Sequence, residues 1–414
     1  LKKIALIVDA YSAGNLLAPE FKKRGFDCVH VQSTPEIFHI LRPSFVPTDF
    51  VANMAFSGDR AALLSHIREF PVVSVMPGTE TGVHLADEIS ESLGLKSNGL
   101  KKSAARRNKY LMIETLRASG LLVAQQNKSP HALDQIAFKR DARLDKVVVK
   151  PVESAGSEDV RICTSDEQVR LAHEAIVGKV NMLGLLNQES IIQEFLEGDE
   201  YFINSVSLHG QHVVCDIWRH NKRGLNGFDF VYDFAELCDP AGTLEQELIK
   251  YNRHALDALN IKFGPSHCEI IMTKAGPRMV EMGARLQGMS LPTLNEQCFG
   301  AGPVDMAVNC YVDEPQFLAS AAHMKMRKRA MRVNLISHQA GVLRKFGALD
   351  QIERLPSFFH LRTIAKPGYK IEKTINYFTV AGFVVLACDN REQIFADYQM
   401  IRRLEEEGQI LNYE

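Results

Sequence analysis

Glu269, Glu281 and Arg285 carry the strongest chemical signal in this sequence, within GPSHCEIIMTKAGPRMVEMGARLQG at residues 264–288. The stretch reads as two short strands joined by a turn at residues 273–277, with Glu269 on the first, Glu281 at the end of the second and Arg285 four residues later. So tight a connection predicts an antiparallel pair with the two glutamates side by side. Neighbouring carboxylates repel and raise each other's pKa, so a fold keeps them together only around a proton or a cation. Two carboxylates, with the remaining positions left to phosphate and water, suit Mg²⁺, and the arginine then points to phosphoryl chemistry. A surface hairpin with two solvated glutamates and a salt-bridging arginine would carry the same residues.

Lys150 ends an apolar strand just before a loop of Ser154, Ala155, Gly156 and Ser157. Backbone N–H groups and hydroxyls of such a loop can wrap phosphate oxygens while the ammonium supplies charge. The order is not that of a Walker loop, in which lysine follows the glycines, and a plain β-turn is the alternative. Further on, Glu194, Phe195 and Leu196 resemble an inter-domain hinge whose backbone pairs with an adenine edge, with Glu200 placed to reach a ribose. His267 lies two residues before Glu269 and so on the same strand face. Contact with a substrate carboxylate or a transferred phosphate, or packing in a core, are its two readings. Glu80, at a strand-to-helix turn, either faces a ligand at the strands' carboxyl ends or simply complements a helix N-terminus. Residues 218–230, polar and aromatic and ending in a Gly-containing segment, read as a loop that covers a substrate or as a solvated loop.

The elements that must position these groups are mixed α and β. Residues 3–9 (KIALIVD) form a near-continuous apolar run typical of a buried parallel strand. A helix to Arg24 and a strand at residues 28–32 complete a βαβ start, without the G-x-G-x-x-G of a dinucleotide site. Another strand at 72–76 precedes a helix with Val83, Leu85, Ala86, Ile89 and Leu93 on one face. Residues 101–120 read as a basic-flanked amphipathic helix capped by Gly120, connecting to a second domain. From Ala319 onward a separate small α/β unit is expected, closed by a charged helix at 391–407.

A chain of 414 residues suits two to four domains. A net charge of -2 offers no electrostatic case for nucleic acid or a membrane surface. The eight cysteines show no C-x-x-C spacing and mostly lie in apolar runs, as reduced thiols in a cytosolic protein would. No apolar run reaches the ~18 residues of a membrane span and no signal-peptide pattern is present, so a cytoplasmic protein is expected.

The ordered set of Lys109 on a helix, Lys150 before a small-residue loop, the hinge QEFLEGDE, then HCE followed by EMGAR resembles the ATP-grasp superfamily of carboxylate–amine ligases. The resemblance covers essentially the whole chain. It implies an α/β ATP-grasp fold: a Rossmann-like N-terminal domain at 1–98, an ATP-grasp domain at 99–310 with a mobile lid at about 125–195, and a small C-terminal cap at 311–414. It implies that Lys109 and Lys150 contact the ATP phosphates beside the loop of Ser154, Ala155, Gly156 and Ser157. Glu194 and Leu196 would hold adenine by their backbones with Phe195 between them, and Glu200 would bind the ribose. Glu269 and Glu281 would ligate Mg²⁺, a place Mn²⁺ can also fill, and Arg285 would stabilise the transferring phosphoryl group. Many members carry Asn-Pro where Gly283 and Ala284 stand here, so the amide ligand of a second metal is missing. The E-x-G-x-R form resembles L-amino-acid ligases, which join two unprotected L-amino acids, including enzymes of bacterial dipeptide-antibiotic pathways. A homodimer is implied by the resemblance alone.

An ATP-dependent amino-acid ligase releasing ADP is therefore the expected function. The alternatives are another ATP-grasp ligase, such as a carboxylase or purine-pathway enzyme, and a nucleotide-binding regulator without turnover. Retention of both glutamates, both lysines and Arg285 speaks against the regulator.

Overall fold

The computed structural model describes residues 2–39, 41–154 and 158–414. Four strands, β1 (Ile4–Val8), β2 (Asp27–Gln32), β3 (Ala52–Ala55) and β4 (Val72–Pro77), form an all-parallel sheet in the order β3-β2-β1-β4. β1 is buried along its whole length, as its continuous apolar run requires. Its loops at the carboxyl ends of the strands, Glu80 among them, face the rest of the molecule.

A second sheet holds β5 (Gln126–Ser129), β6 (Val147–Pro151), β7 (Arg161–Cys163) and β8 (Ser190–Glu194) in the order β5-β8-β6-β7, backed by helices Ala132–Asp141 and Asp166–Ile176. The core between that sheet and its helices is small, built on Val147, Val149, Val169, Ala172, Ile176 and Ile192.

The large sheet begins with β9 (Gly198–Leu208), β10 (Gln211–Leu225), β11 (Phe228–Leu237), β12 (Gly264–Thr273) and β13 (Gly276–Gly283). The C-terminal strands follow: β14 (Arg329–Leu335), β15 (Gly341–Phe346), β16 (Phe358–Thr363), β17 (Lys370–Ile371), β18 (Gly382–Cys388) and β19 (Leu411–Tyr413). The eight-stranded order is β13-β12-β9-β10-β11-β14-β18-β16, while β17-β15-β19 stand apart as a small sheet. The strands after Ala319 thus continue the central sheet through the β11–β14 pairing.

Two local expectations need correction. Residues 101–120 are not one helix: a 3-10 turn at Ala104–Arg106 comes first, and the α-helix starts at Lys109, because the Asn108 side chain accepts the Leu111 N–H at 2.9 Å as an N-cap. Residues 218–230 are not a loop but the two arms of a hairpin, β10 and β11. Asn226 and Gly227 both adopt positive φ, 56° and 86°, which is the geometry an Asn-Gly hairpin turn needs.

Candidate active site

Register builds the site. On β12 and β13 Glu269 pairs directly with Glu281, so the two carboxylates share one face of the sheet. The row continues through Phe202 on β9, opposite Glu269, to Trp218 on β10, opposite Phe202. One row over run Gly283, His267 and Asn204, the last opposite Asp216; on the other side run Glu200, Ala235, Arg332 and Val385. The opposite face is apolar, with Tyr201, Ile203, Ile217, Cys268 and Ile270 packed under helices Lys109–Ala118 and Thr243–Ala258.

Cations converge on the carboxylate pair. Lys109, held by the N-cap at the first turn of its helix, places Nζ 3.0 Å from Glu281 and donates to the Ser154 carbonyl at 2.9 Å. Lys150, on β6 of the second sheet, is buried and donates to Gln193 at 3.0 Å. Burial pushes Lys150 down to about 8, helped by Lys109 and opposed by Glu281 and Glu269. Burial also pushes Glu281 up, but Lys109, Lys150 and Arg285 outweigh it and hold the carboxyl below its usual range. The two expected lysines and two expected glutamates are thus brought together from two sheets and a helix. Ser154 lies beside them; Ala155, Gly156 and Ser157 lie outside the described residues.

Arg285 is fixed by a partner from the first sheet's loops: its Nε donates to Glu80 at 2.9 Å. Arg107 approaches the other oxygen of Glu80 at 3.5 Å and Glu153 at 3.7 Å. A Cβ on Gly283 would stand 2.9 Å from the Glu80 carboxylate and 3.0 Å from the Arg285 guanidinium carbon. The space that an asparagine would fill in the Asn-Pro pattern is therefore occupied by this ion pair. Glu80 is the residue whose weight the sequence understated; its position at the carboxyl end of β4 was the available signal.

His267 sits 3.6 Å from Glu269 through Nε2 and meets the Asn204 carbonyl oxygen at 2.9 Å through Nδ1. Asn204 in turn donates to Asp216 at 2.6 Å and Gln287 at 2.9 Å, and Asn295 donates to the second Asp216 oxygen at 2.7 Å. Burial lifts Asp216 to about 6 against the pull of the two amides and Trp218. Neither this network nor Asp216 stood out in the sequence, because its members are far apart in the chain. It walls a cleft floored by Phe202, Trp218, Leu291 and Leu294 and bounded by Arg332.

The hinge residues lie at the junction of the two sheets. Glu194 donates its N–H to the Gln125 carbonyl at 2.8 Å, and its carboxylate accepts from Arg278 at 3.0 Å. Phe195 donates to the Lys146 carbonyl at 3.2 Å, with the Lys146 ammonium 3.9 Å from its ring, and Leu196 is buried. Glu200 is held by Lys222 at 2.5 Å and by the Tyr232 hydroxyl at 3.1 Å. Burial raises the Glu200 carboxyl, but His220 and Lys222 pull it net below its usual range.

Among the described residues no cluster of three or more His, Cys, Asp or Glu forms a closed metal cage. Two adjacent carboxylates form only part of a hard-oxygen shell, which fits a divalent cation that completes its coordination with phosphate and water. No helix is long and apolar enough to cross a membrane among those residues.

A model of the ATP-grasp domain matches residues 145–293, which contain Lys150, the hinge, both glutamates and Arg285. Dapdiamide A synthase from Enterobacter agglomerans is 30% identical over 395 residues, covering 94% of this chain and 92% of that protein. Among solved structures, an L-amino acid ligase from Bacillus licheniformis superposes with a TM-score of 0.75 at 18% identity, covering 100% of this chain and 99% of that one. A phosphoribosylglycinamide synthetase from Anaerococcus prevotii gives a TM-score of 0.68 at 14% identity, covering 100% of each.

Proposed function

This chain belongs to the ATP-grasp carboxylate–amine ligases, in the L-amino-acid-ligase branch, and on that premise we propose that it joins two unprotected L-amino acids through an acyl phosphate. The observation that carries this reading is the single sheet face on which Glu269, Glu281 and His267 lie beside a cleft lined by Phe202, Trp218, Asn204 and Arg332.

A carboxylate and an amine do not condense in water because the leaving group would be oxide. In the proposed reaction a carboxylate oxygen of the first amino acid attacks the γ-phosphorus, the bond to the β,γ-bridging oxygen breaks, and ADP leaves. The amine of the second amino acid then attacks the acyl carbon, loses a proton, and expels phosphate. Little covalent work falls to the protein; it positions and neutralises charge. Lys109 and Lys150 would neutralise phosphate oxygens, and Arg285, paired with Glu80, would meet the charge growing on the transferred group. Glu269 and Glu281 would hold Mg²⁺, which when bound supplies Lewis-acid charge to the phosphates. His267, held by the Asn204 side chain, would meet the substrate carboxylate or the transferred phosphate. We assign adenine to the backbone of Glu194 and Leu196 and the ribose to Glu200, with residues 125–195 as the lid that keeps water from the acyl phosphate. The domain limits at 98/99 and 310/311 belong to the same proposal.

The experiment is positional: with ¹⁸O in the donor carboxylate, one label should appear in released phosphate, and Glu281→Ala should lose this amino-acid-dependent transfer. Unlabelled phosphate alongside amide product would refute the acyl phosphate.

A further inference from the structure

We propose that Arg332 binds the α-carboxylate of the second amino acid, the one whose amine is acylated, and that this amino acid occupies the cleft floored by Trp218, Phe202, Leu291 and Leu294. The proposal rests on the amide-forming reading above. Arg332 lies on β14, on the same sheet face as the carboxylate pair, one row from Phe202 and Trp218. Its guanidinium donates to the Tyr377 hydroxyl at 2.7 Å and lies 5.9 Å from the Phe202 ring and 5.6 Å from that of Tyr377. Its Nε is buried with no hydrogen-bond partner, and no carboxylate lies within ion-pair distance of it among the described residues. The facing imidazole, His220, is pushed by burial below its usual range, and Glu200 beyond it is paired with Lys222.

Arg332 is half-buried, and a guanidinium with a buried, unpartnered Nε and no counter-charge is costly. Arg106 and Arg402, the arginines buried whole among the described residues, avoid that cost: Arg106 pairs with Asp87, and Arg402 with Asp233 and Glu405. Around the site, Lys109 pairs with Glu281, Arg285 with Glu80, Arg278 with Glu194 and Lys222 with Glu200. Lys150, at the carboxylate pair, donates only to Gln193; Arg332 is the cation lining the cleft, and its charge awaits an anion. Of the two substrate carboxylates, one is consumed at the glutamate and Arg285 end. The one that survives into the product must be read elsewhere, and a planar guanidinium above an apolar floor suits it.

The test uses Trp218, the only tryptophan in the sequence, as a reporter in the cleft. Wild-type enzyme, saturated with Mg-ATP and one fixed first amino acid, is titrated with L-alanine, L-valine, L-methionine and L-phenylalanine and with their amides as the second, by Trp218 fluorescence and by ADP release. The acids should be preferred over the amides by about 10- to 100-fold, the range of a charge-assisted hydrogen-bonded pair. Arg332→Met should reduce that preference to near one, while KM for ATP and for the first amino acid stays within threefold; Arg332→Lys should keep part of it. Should the methionine variant fail to fold, Arg332→Lys and Tyr377→Phe, which frees the guanidinium, carry the test through their effect on the same ratio. No preference in wild type, or an unchanged preference in the Arg332 variants, overturns the proposal even if dipeptides form. An acid-over-amide preference in fluorescence that Arg332→Met abolishes, without turnover by any pair, sustains the carboxylate site and removes the amide-forming reading instead.

Discussion

Gly283→Ala should damage catalysis without damaging the fold. The new methyl would stand 2.9 Å from a Glu80 oxygen and 3.0 Å from the Arg285 guanidinium carbon, roughly 0.5 Å inside ordinary contact. Both atoms are ends of flexible side chains and the backbone of β13 at Gly283 is not in the left-handed region. The strain should therefore be relieved by parting the Glu80–Arg285 pair, now at 2.9 Å, rather than by unfolding. The pair is partly exposed, so its loss should move Tm by no more than about 2 °C. The chemical cost is larger. Removing a charge-stabilising group outright costs on the order of 10²–10³ in kcat, and misplacing one by about 1 Å costs about 10², so a fall of 10- to 100-fold in kcat is expected. KM for ATP should change little, since Lys109 and Lys150 are untouched. A coupled ADP-release assay with a thermal melt measures both. A kcat within twofold of wild type, at unchanged Tm, would refute the assignment of Arg285 as a group whose exact seat matters.

Asp87→Asn should be the stability counterpart: it strips the counter-charge from Arg106, which is fully buried and also donates to the Leu259 carbonyl at 3.1 Å, and should cost about 3–5 kcal/mol in chemical unfolding. Asp216 titrates near pH 6 in the folded chain against 3.8 in the open. The folded state thus binds the extra proton between these values, and the stability owed to Asp216 should fall by up to about 3 kcal/mol as pH rises from 4 to 6, then level off. Subtracting the Asp216→Asn melting profile isolates that slope, and a flat difference would contradict it. Lys109→Met should raise KM for ATP and lower kcat by about 10² or more, read in the same ADP assay. EDTA should stop turnover, with Mg²⁺ restoring it and Mn²⁺ substituting.

What the sequence disclosed followed from chemistry that is local along the chain. The pairing of Glu269 with Glu281 was legible because a tight turn fixes the register of the strands it joins, and the apolar run of β1 could only be a buried strand. The hairpin of β10 and β11 was misread because its polar side chains masked an Asn-Gly turn that was present in the letters. Asp216, Asn295 and Arg332, and the partner that gives Glu80 its weight, were out of reach for a different reason. Each acquires its role from partners tens to hundreds of residues away, Glu80 from Arg285 and Asp216 from Asn295, and no periodicity encodes such a meeting. The seat of Gly283 shows the same limit: the letters reveal a missing amide, but not that a carboxylate from another sheet fills its place.

The central claim is that this sheet face activates one amino acid with ATP and hands it to another. The most direct measurement is release of ADP and phosphate from Mg-ATP with each L-amino acid singly and in pairs, followed by mass spectrometry of the products. Stimulation by particular pairs is expected, with ADP and phosphate in equal amounts and a product mass equal to the two amino acids less one water. Formation of AMP, or ATP hydrolysis indifferent to every amino acid, would contradict the claim.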